Sequence, residues 1–195
     1  VISDGFKKEI KATSVGFSGE VFLIAPGQDI TNHLYPIGGR PSYIDKVKGI
    51  KGVKSVNEVA YSAGMLKSEE SVQGIIFKGV DSTYSLDFFG KYLVEGELPD
   101  FRGKRSSNQI LISKRLANLM NYSCGDRITA YFVGESVRIR RFTITGLYDV
   151  QLDELDKTLA IVDIRQTRRL NGWENDQVSN IEISLTPKGD FRKVG

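Results

Sequence analysis

Apolar and polar positions change their spacing several times along this chain, and each change marks an element. Residues 3–15 put Phe6, Ile10 and Thr13 on one side at helical spacing, which predicts a helix broken by Gly16 and Gly19. Glu20–Ala25 (EVFLIA) predicts a first strand. Pro26–Arg40 is a loop punctuated by Pro36, Gly38 and Gly39. Pro41 suits a first helical position, and Ile44, Val47 and Ile50 form an apolar stripe that ends near Gly49 and Gly52. Val56–Tyr61 and Met65–Ser68 predict strand with a kink or bulge at Gly64, and Val72–Val80 a second strong strand. Asp81–Lys91 predicts a short helix.

The middle of the chain is the easiest to place. Ile110–Ile112 is a short strand that gives way at Ser113, a good N-cap, to a helix with Leu116, Leu119 and Met120 on one face. Gly125 is expected to end that helix in the left-handed conformation. Ile128, Ala130 and Phe132 then alternate with polar neighbours, Gly134-Glu135-Ser136 turns the chain, and a second strand follows. In that second strand Val137 and Ile139 are odd-numbered, whereas Phe142 and Ile144 are even. A strand of period two cannot keep both sets on one face, so a bulge, bend or change of sheet is expected at Arg140-Arg141.

Thr158–Ile164 (TLAIVDI) is almost continuously apolar, as in a strand covered on both faces. Asp163 with Gln166 predicts a capping box for a helix ending near Gly172, and Val178–Leu185 a further strand with Ile181 and Ile183 on one face and Glu182 and Ser184 on the other. Phe191-Arg192-Lys193 would begin another helix. Strand-helix-strand order occurs twice, near residues 20–61 and 158–185, which predicts an α+β chain of two subdomains. Residues 1–79 and 151–195 would form one βαβ-repeat domain and residues 80–150 an inserted, β-rich one.

Composition adds bounds. At 195 residues the chain can bury a real core, and 27 Lys+Arg against 24 Asp+Glu is too balanced to imply a nucleic-acid partner. No apolar run reaches the roughly 18 residues that cross a bilayer, and no signal peptide is visible at Val1. A single cysteine, Cys124, excludes an internal disulfide.

Candidate chemistry is sparse. His33 is the only histidine and sits in a Gly/Pro loop without a partner serine motif, which reads as a plain loop residue. Cys124 lies at a helix end where the dipole opposes a thiolate. Asp149, Asp153, Glu154 and Asp156 form the densest acidic cluster, but without the glycines and spacing of a calcium loop it reads as a solvated linker. Gly38-Gly39 and Gly49 with Gly52 fit no phosphate-loop pattern. Lys46–Lys54 and Arg138, Arg140 and Arg141 are basic patches, open to phosphate or lipid headgroups but explained by solvated faces. No catalytic, cofactor-binding or metal-binding residue is assigned, and no cofactor is expected.

The wording "ILISKRLANLMNYSCGDRI", then "FTITGLYD", then "ELDKTLAIVDI", resembles FtsX-like ABC-transporter permeases, more narrowly the large periplasmic domain of the MacB and LolC/LolE branch. The opening "VISDGFKKEI" is similar to the segment that leaves the first transmembrane helix of those proteins. The resemblance implies a porter domain with an inserted sabre domain, on the periplasmic face of the bacterial inner membrane. It implies a non-enzymatic part of a transporter that couples ATP hydrolysis on a partner subunit to handling of lipoprotein or another amphiphile. Implied partners are an ATP-binding subunit, a second permease subunit in a dimer, and a lipoprotein or periplasmic protein. In the LolC pattern a longer, proline-containing loop between the two middle strands hooks a lipoprotein chaperone. Here that connection is only Gly134-Glu135-Ser136, so a hookless, LolE-like or general MacB-type subunit is expected. The alternatives are a free-standing periplasmic α+β binding or adaptor module, and a small hydrolase using the acidic cluster.

Overall fold

The computed structural model describes residues 21–26, 35–39, 42, 44–134 and 136–186. The helices expected over residues 3–15 and from Phe191, together with His33 and Pro41, lie outside the described residues. The strands are β1 (Val21–Ile24), β2 (Ile37–Gly38), β3 (Val53–Lys67), β4 (Val72–Val80), β5 (Leu93–Gly96) and β6 (Gln109–Ser113). They continue with β7 (Arg127–Val133), β8 (Val137–Tyr148), β9 (Leu159–Asp163), β10 (Gln177–Val178) and β11 (Asn180–Leu185). The helices are α1 (Ile44–Lys48), α2 (Asp87–Lys91), α3 (Lys114–Met120), α4 (Asp153–Thr158) and α5 (Ile164–Asn171).

Nine of the strands form one mixed sheet in the order β1-β11-β3-β4-β9-β6-β8-β5, and β7 pairs with both β3 and β8. The double pairing of β7 closes a ring: β3, β4, β9, β6, β8 and β7 are each hydrogen-bonded to the next, and Leu66 opposite Ala130 joins the last to the first. Alternation then sorts the side chains. Phe77 of β4, Ile110 and Ile112 of β6, Phe132 of β7, Ile144 of β8 and Val162 of β9 meet in one buried cluster, where Phe77 lies 4.8 Å from Phe132 and 5.8 Å from Phe142. Leu116, Ala117 and Met120 of α3 pack into the same cluster. The ring is therefore a filled barrel, as small closed sheets must be.

On the opposite face, Val59, Val80, Leu111, Tyr148 and Ile161 are covered by Phe89 of α2 and Phe101. A third cluster joins Ile181 and Ile183 of β11 to Ile44 of α1 and Ile164 of α5. Every residue of β9 is buried between parallel β4 and antiparallel β6, as its apolar run predicts. Strands from before residue 80, from between 80 and 150 and from after 150 all belong to this one sheet. The largest cluster draws Leu66, Ile75 and Phe77 together with Ile110, Phe142, Ala160 and Leu170, because β7 and β6 use β3 and β9 as neighbours.

Three local expectations need correction. Gly64 does not interrupt β3, which runs unbroken for 15 residues and pairs with β4 straight through Gly64 opposite Ile75. Glycine is required there for space, because a Cβ would come within 2.8 Å of the Phe132 ring inside the barrel. The ladder from Val133–Val137 to Arg127–Thr143 is likewise uninterrupted, so there is no bulge at Arg140-Arg141. Val137 and Ile139 face solvent at 62% and 50% exposure, so this end of the ribbon has no buried outer face to enforce register. The irregularity comes later, opposite Ile110/Leu111, where the β6 partner steps from Ile144 to Gly146. Finally, α3 stops at Asn121, which takes the left-handed φ of 54°, and Gly125 (φ 92°) belongs to the turn that follows.

Candidate functional site

Two polar constructions stand out, and the first converges on α5. Asp163 caps α5 by accepting from the Arg165 amide, and its carboxylate also pairs with the Arg165 guanidinium at 2.6 Å. Gln166 does not complete a capping box. Its amide instead donates to Asn108 Oδ1 at 2.7 Å and to the Ser107 carbonyl. Arg165 reaches across to the carbonyls of Phe101, Gly103 and Lys104, so one side chain pins the whole 101–104 segment. Arg168 pairs with Glu58 at 2.6 Å and donates to the Gln177 carbonyl. Close approach makes this possible: a Cβ on Gly79 of β4 would meet Thr167 and would lie 2.9 Å from the Ile164 Cα.

Between α5, the 104–108 segment and Arg140 of β8 lies a cleft of about 610 Å³. It is lined by Lys104, Arg105, Arg140, Arg165, Arg168 and Arg169, with Trp173 as an apolar wall and, among the described residues, no acidic one. Arg169 donates to the Arg165 carbonyl at 3.0 Å and to Ser106 Oγ. Clefts lined by one sign of charge concentrate the electrostatic field, so this one favours anions.

The second construction is buried. Glu182 of β11 accepts from Lys78 Nζ at 2.9 Å and from the Tyr61 hydroxyl at 3.0 Å, and the Tyr84 hydroxyl lies 3.3 Å from it. Lys78 also donates to the Tyr84 hydroxyl, and its ammonium lies 4.9 Å from that ring's centroid. Burial pulls the Lys78 pKa down and the neighbouring carboxylate opposes it, while burial and then Glu182 push both tyrosines up. A proton is thus held on each tyrosine. Sequence spacing had put Glu182 on the polar face of its strand, yet it is 1% exposed. The lone signal available was Lys78 inside the apolar run VQGIIFKGV.

The other candidates fall apart in space. Burial raises the Cys124 thiol, Glu95 adds to it, and the thiol donates toward the Thr145 carbonyl at 3.4 Å. Of the acidic cluster, the side chains of Asp153 and Glu154 lie outside the described residues. Asp156 is 2% exposed and accepts from the Leu152 amide, with its second carboxylate oxygen unpaired. Among the described residues no three His, Cys, Asp or Glu side chains come together as a metal site, and no helix is long and apolar enough to cross a membrane. Lys46, Lys48, Lys51 and Lys54 are exposed. The arginine patch is split: Arg138 caps α5 by donating to the Arg169 and Leu170 carbonyls, Arg140 lines the cleft, and Arg141 is exposed.

The arrangement has counterparts of known kind. The extracellular domain of the ABC-type transporter YknZ from Gram-positive bacteria superposes with a TM-score of 0.59 at 18% identity, covering 89% of this chain and 87% of that one. The periplasmic region of MacB from Actinobacillus actinomycetemcomitans gives 0.58 at 14% identity, covering 89% and 78%. In sequence, the lipoprotein-releasing system transmembrane protein LolC of Xylella fastidiosa strain Temecula1 is 21% identical over 200 aligned residues, and that of strain 9a5c 22%. In fold the chain is thus like the YknZ and MacB domains, and along its sequence it is similar to LolC. The alignment takes in 94% of this chain but only 44% of LolC, so the chain spans less than half the length of these relatives. No family model matches.

Proposed function

We propose that the chain is the extracytoplasmic domain of an ABC-transporter permease subunit, standing on the periplasmic face of the bacterial inner membrane. Having no enzymatic role of its own, it couples ATP hydrolysis on a partner subunit to the handling of lipoprotein or another amphiphilic cargo. Its partners are that ATP-binding subunit and a second permease subunit. The observation that carries this reading is the alignment with LolC along nearly the whole chain, in a protein named for lipoprotein release.

Geometry supports it in two ways. Antiparallel β1 and β11 set Val21 opposite Ile183, so the described chain enters and leaves on neighbouring strands at one edge of the sheet. A domain rooted in a membrane at both ends needs its ends together. The same edge is tied into the barrel by β3, which pairs with β11 over Val53–Val59 and with β4 and β7 beyond. A continuous strand of 15 residues gives movement at that edge a stiff path to the far end.

The test uses the uninterrupted reading frame. It should encode one apolar span ahead of Val1 and three beyond Gly195, and the intact protein should co-purify with an ATP-binding subunit whose ATPase activity it alters. A frame without spans would replace this reading with a free-standing adaptor.

A further inference from the structure

We propose that the basic cleft on α5 is a binding site for a phosphate-bearing anion, clamped by Arg140, Arg168 and Arg169 over the indole of Trp173. The reasoning starts from what each guanidinium already does. An arginine has five N–H donors in a planar fork suited to phosphate oxygens. Arg165 uses them up: Asp163 takes Nε and one Nη2 bond, and the Phe101, Gly103 and Lys104 carbonyls take the rest. It is the floor of the cleft and has nothing left to give a ligand.

Its neighbours differ. Arg168 donates to Glu58 and Gln177, Arg169 to the Arg165 carbonyl and Ser106, and Arg140 to the adjacent Ile139 carbonyl. Among the described residues each therefore keeps N–H groups over, and these three come from β8 and from α5. Charge follows the same pattern. Asp163 and Glu58 answer Arg165 and Arg168, but among the described residues no acid lines the cleft to answer Lys104, Arg105, Arg140 or Arg169.

Holding four cations together unanswered costs repulsion that a doubly charged anion would relieve. The volume of about 610 Å³ exceeds a bare phosphate and leaves room for an attached glycerol or sugar. Positioning is firm, since the helix carrying Arg168 and Arg169 is capped at both ends by Asp163 and Arg138. Two sources share this chemistry, an anionic lipid headgroup and a soluble phosphate compound.

Trp173 is the only tryptophan of the chain, so its emission reports on this cleft alone. The experiment titrates inorganic pyrophosphate into the full 195-residue chain at constant ionic strength. A saturable change with a dissociation constant below about 1 mM is expected. Replacing Arg140, whose one partner among the described residues is a neighbouring carbonyl, in Arg140→Gln should weaken binding roughly tenfold or more, and Arg169→Gln likewise. Lys91→Gln, outside the cleft, should leave it unchanged.

Co-sedimentation with phosphatidylglycerol vesicles, against phosphatidylcholine vesicles, separates the sources. Binding to the former that is lost in Arg140→Gln identifies a lipid headgroup, and pyrophosphate binding alone identifies a soluble phosphate. The proposal is overturned if neither binds, if sodium chloride changes the emission as pyrophosphate does, or if both arginine variants keep affinity within about twofold of the parent.

Discussion

Lys78 Nζ stands 2.9 Å from a carboxylate oxygen of Glu182, across 104 residues of sequence, with both side chains 1% exposed. The pair ties β4, in the barrel, to β11, the partner of β1 at the edge of the sheet. Two tyrosine hydroxyls complete it, so no member of the group is left to face an apolar wall alone.

Breaking that pair from one side should be costly, because it strands a charge away from water. Lys78→Met or Glu182→Leu alone is expected to lose about 3–5 kcal/mol in urea unfolding, whereas the double variant should recover most of the loss. Single and double variants of equal stability would show that the pair is not coupled.

Gly64 and Phe132 set the tightness of the barrel seam. Gly64→Ala forces a methyl against the Phe132 ring and the Tyr131 carbonyl and should cost about 1–3 kcal/mol. Placed in a Phe132→Ala background, the same change should cost clearly less. Additive costs in that double-mutant cycle would refute the steric account.

Asp156 gives a pH dependence of known sign. Burial raises its carboxyl above 3.8 and Asp149 adds to this, against the Leu152 and Gln151 amides and Arg115. A carboxyl whose folded pKa is raised favours folding below its ordinary pKa, and that contribution is lost as pH rises through the folded value. Asp156→Asn does not titrate, so its stability relative to the parent should rise as the pH is raised above about 4. Chemical denaturation at a series of pH values would read it, and a constant difference would count against a raised pKa.

The turn between β7 and β8 leads to a binding prediction that rests on the permease reading. The connection is only three residues long in sequence, and Val133 and Val137 on either side of it are 69% and 62% exposed. We expect a periplasmic lipoprotein chaperone to bind the isolated chain weakly or not at all in calorimetry. Micromolar or tighter binding, abolished by changing residues 134–136, would reverse the hookless assignment.

Much of the local structure was determined by sequence alone. Ser113 caps α3 through the Leu116 amide, Asp163 caps α5, Gly172 ends it, and the apolar run of β9 fills the sheet's interior. These outcomes depend on neighbours in the chain: a hydroxyl or carboxylate finds an amide two or three residues on whatever the rest of the fold does. Tertiary structure decided which faces are covered. A period of two placed Glu182 opposite Ile181 and Ile183, but it could not say that Tyr84 and Lys78 would close over that side. It likewise separated Val137 and Ile139 from Phe142 and Ile144, but could not say that the first pair would simply face water. The cleft is the extreme case. Arg140 and Arg169 lie far apart in sequence and become neighbours only when β8 and α5 pack beside one barrel, because charge can be counted along a chain but a field requires charges to be placed.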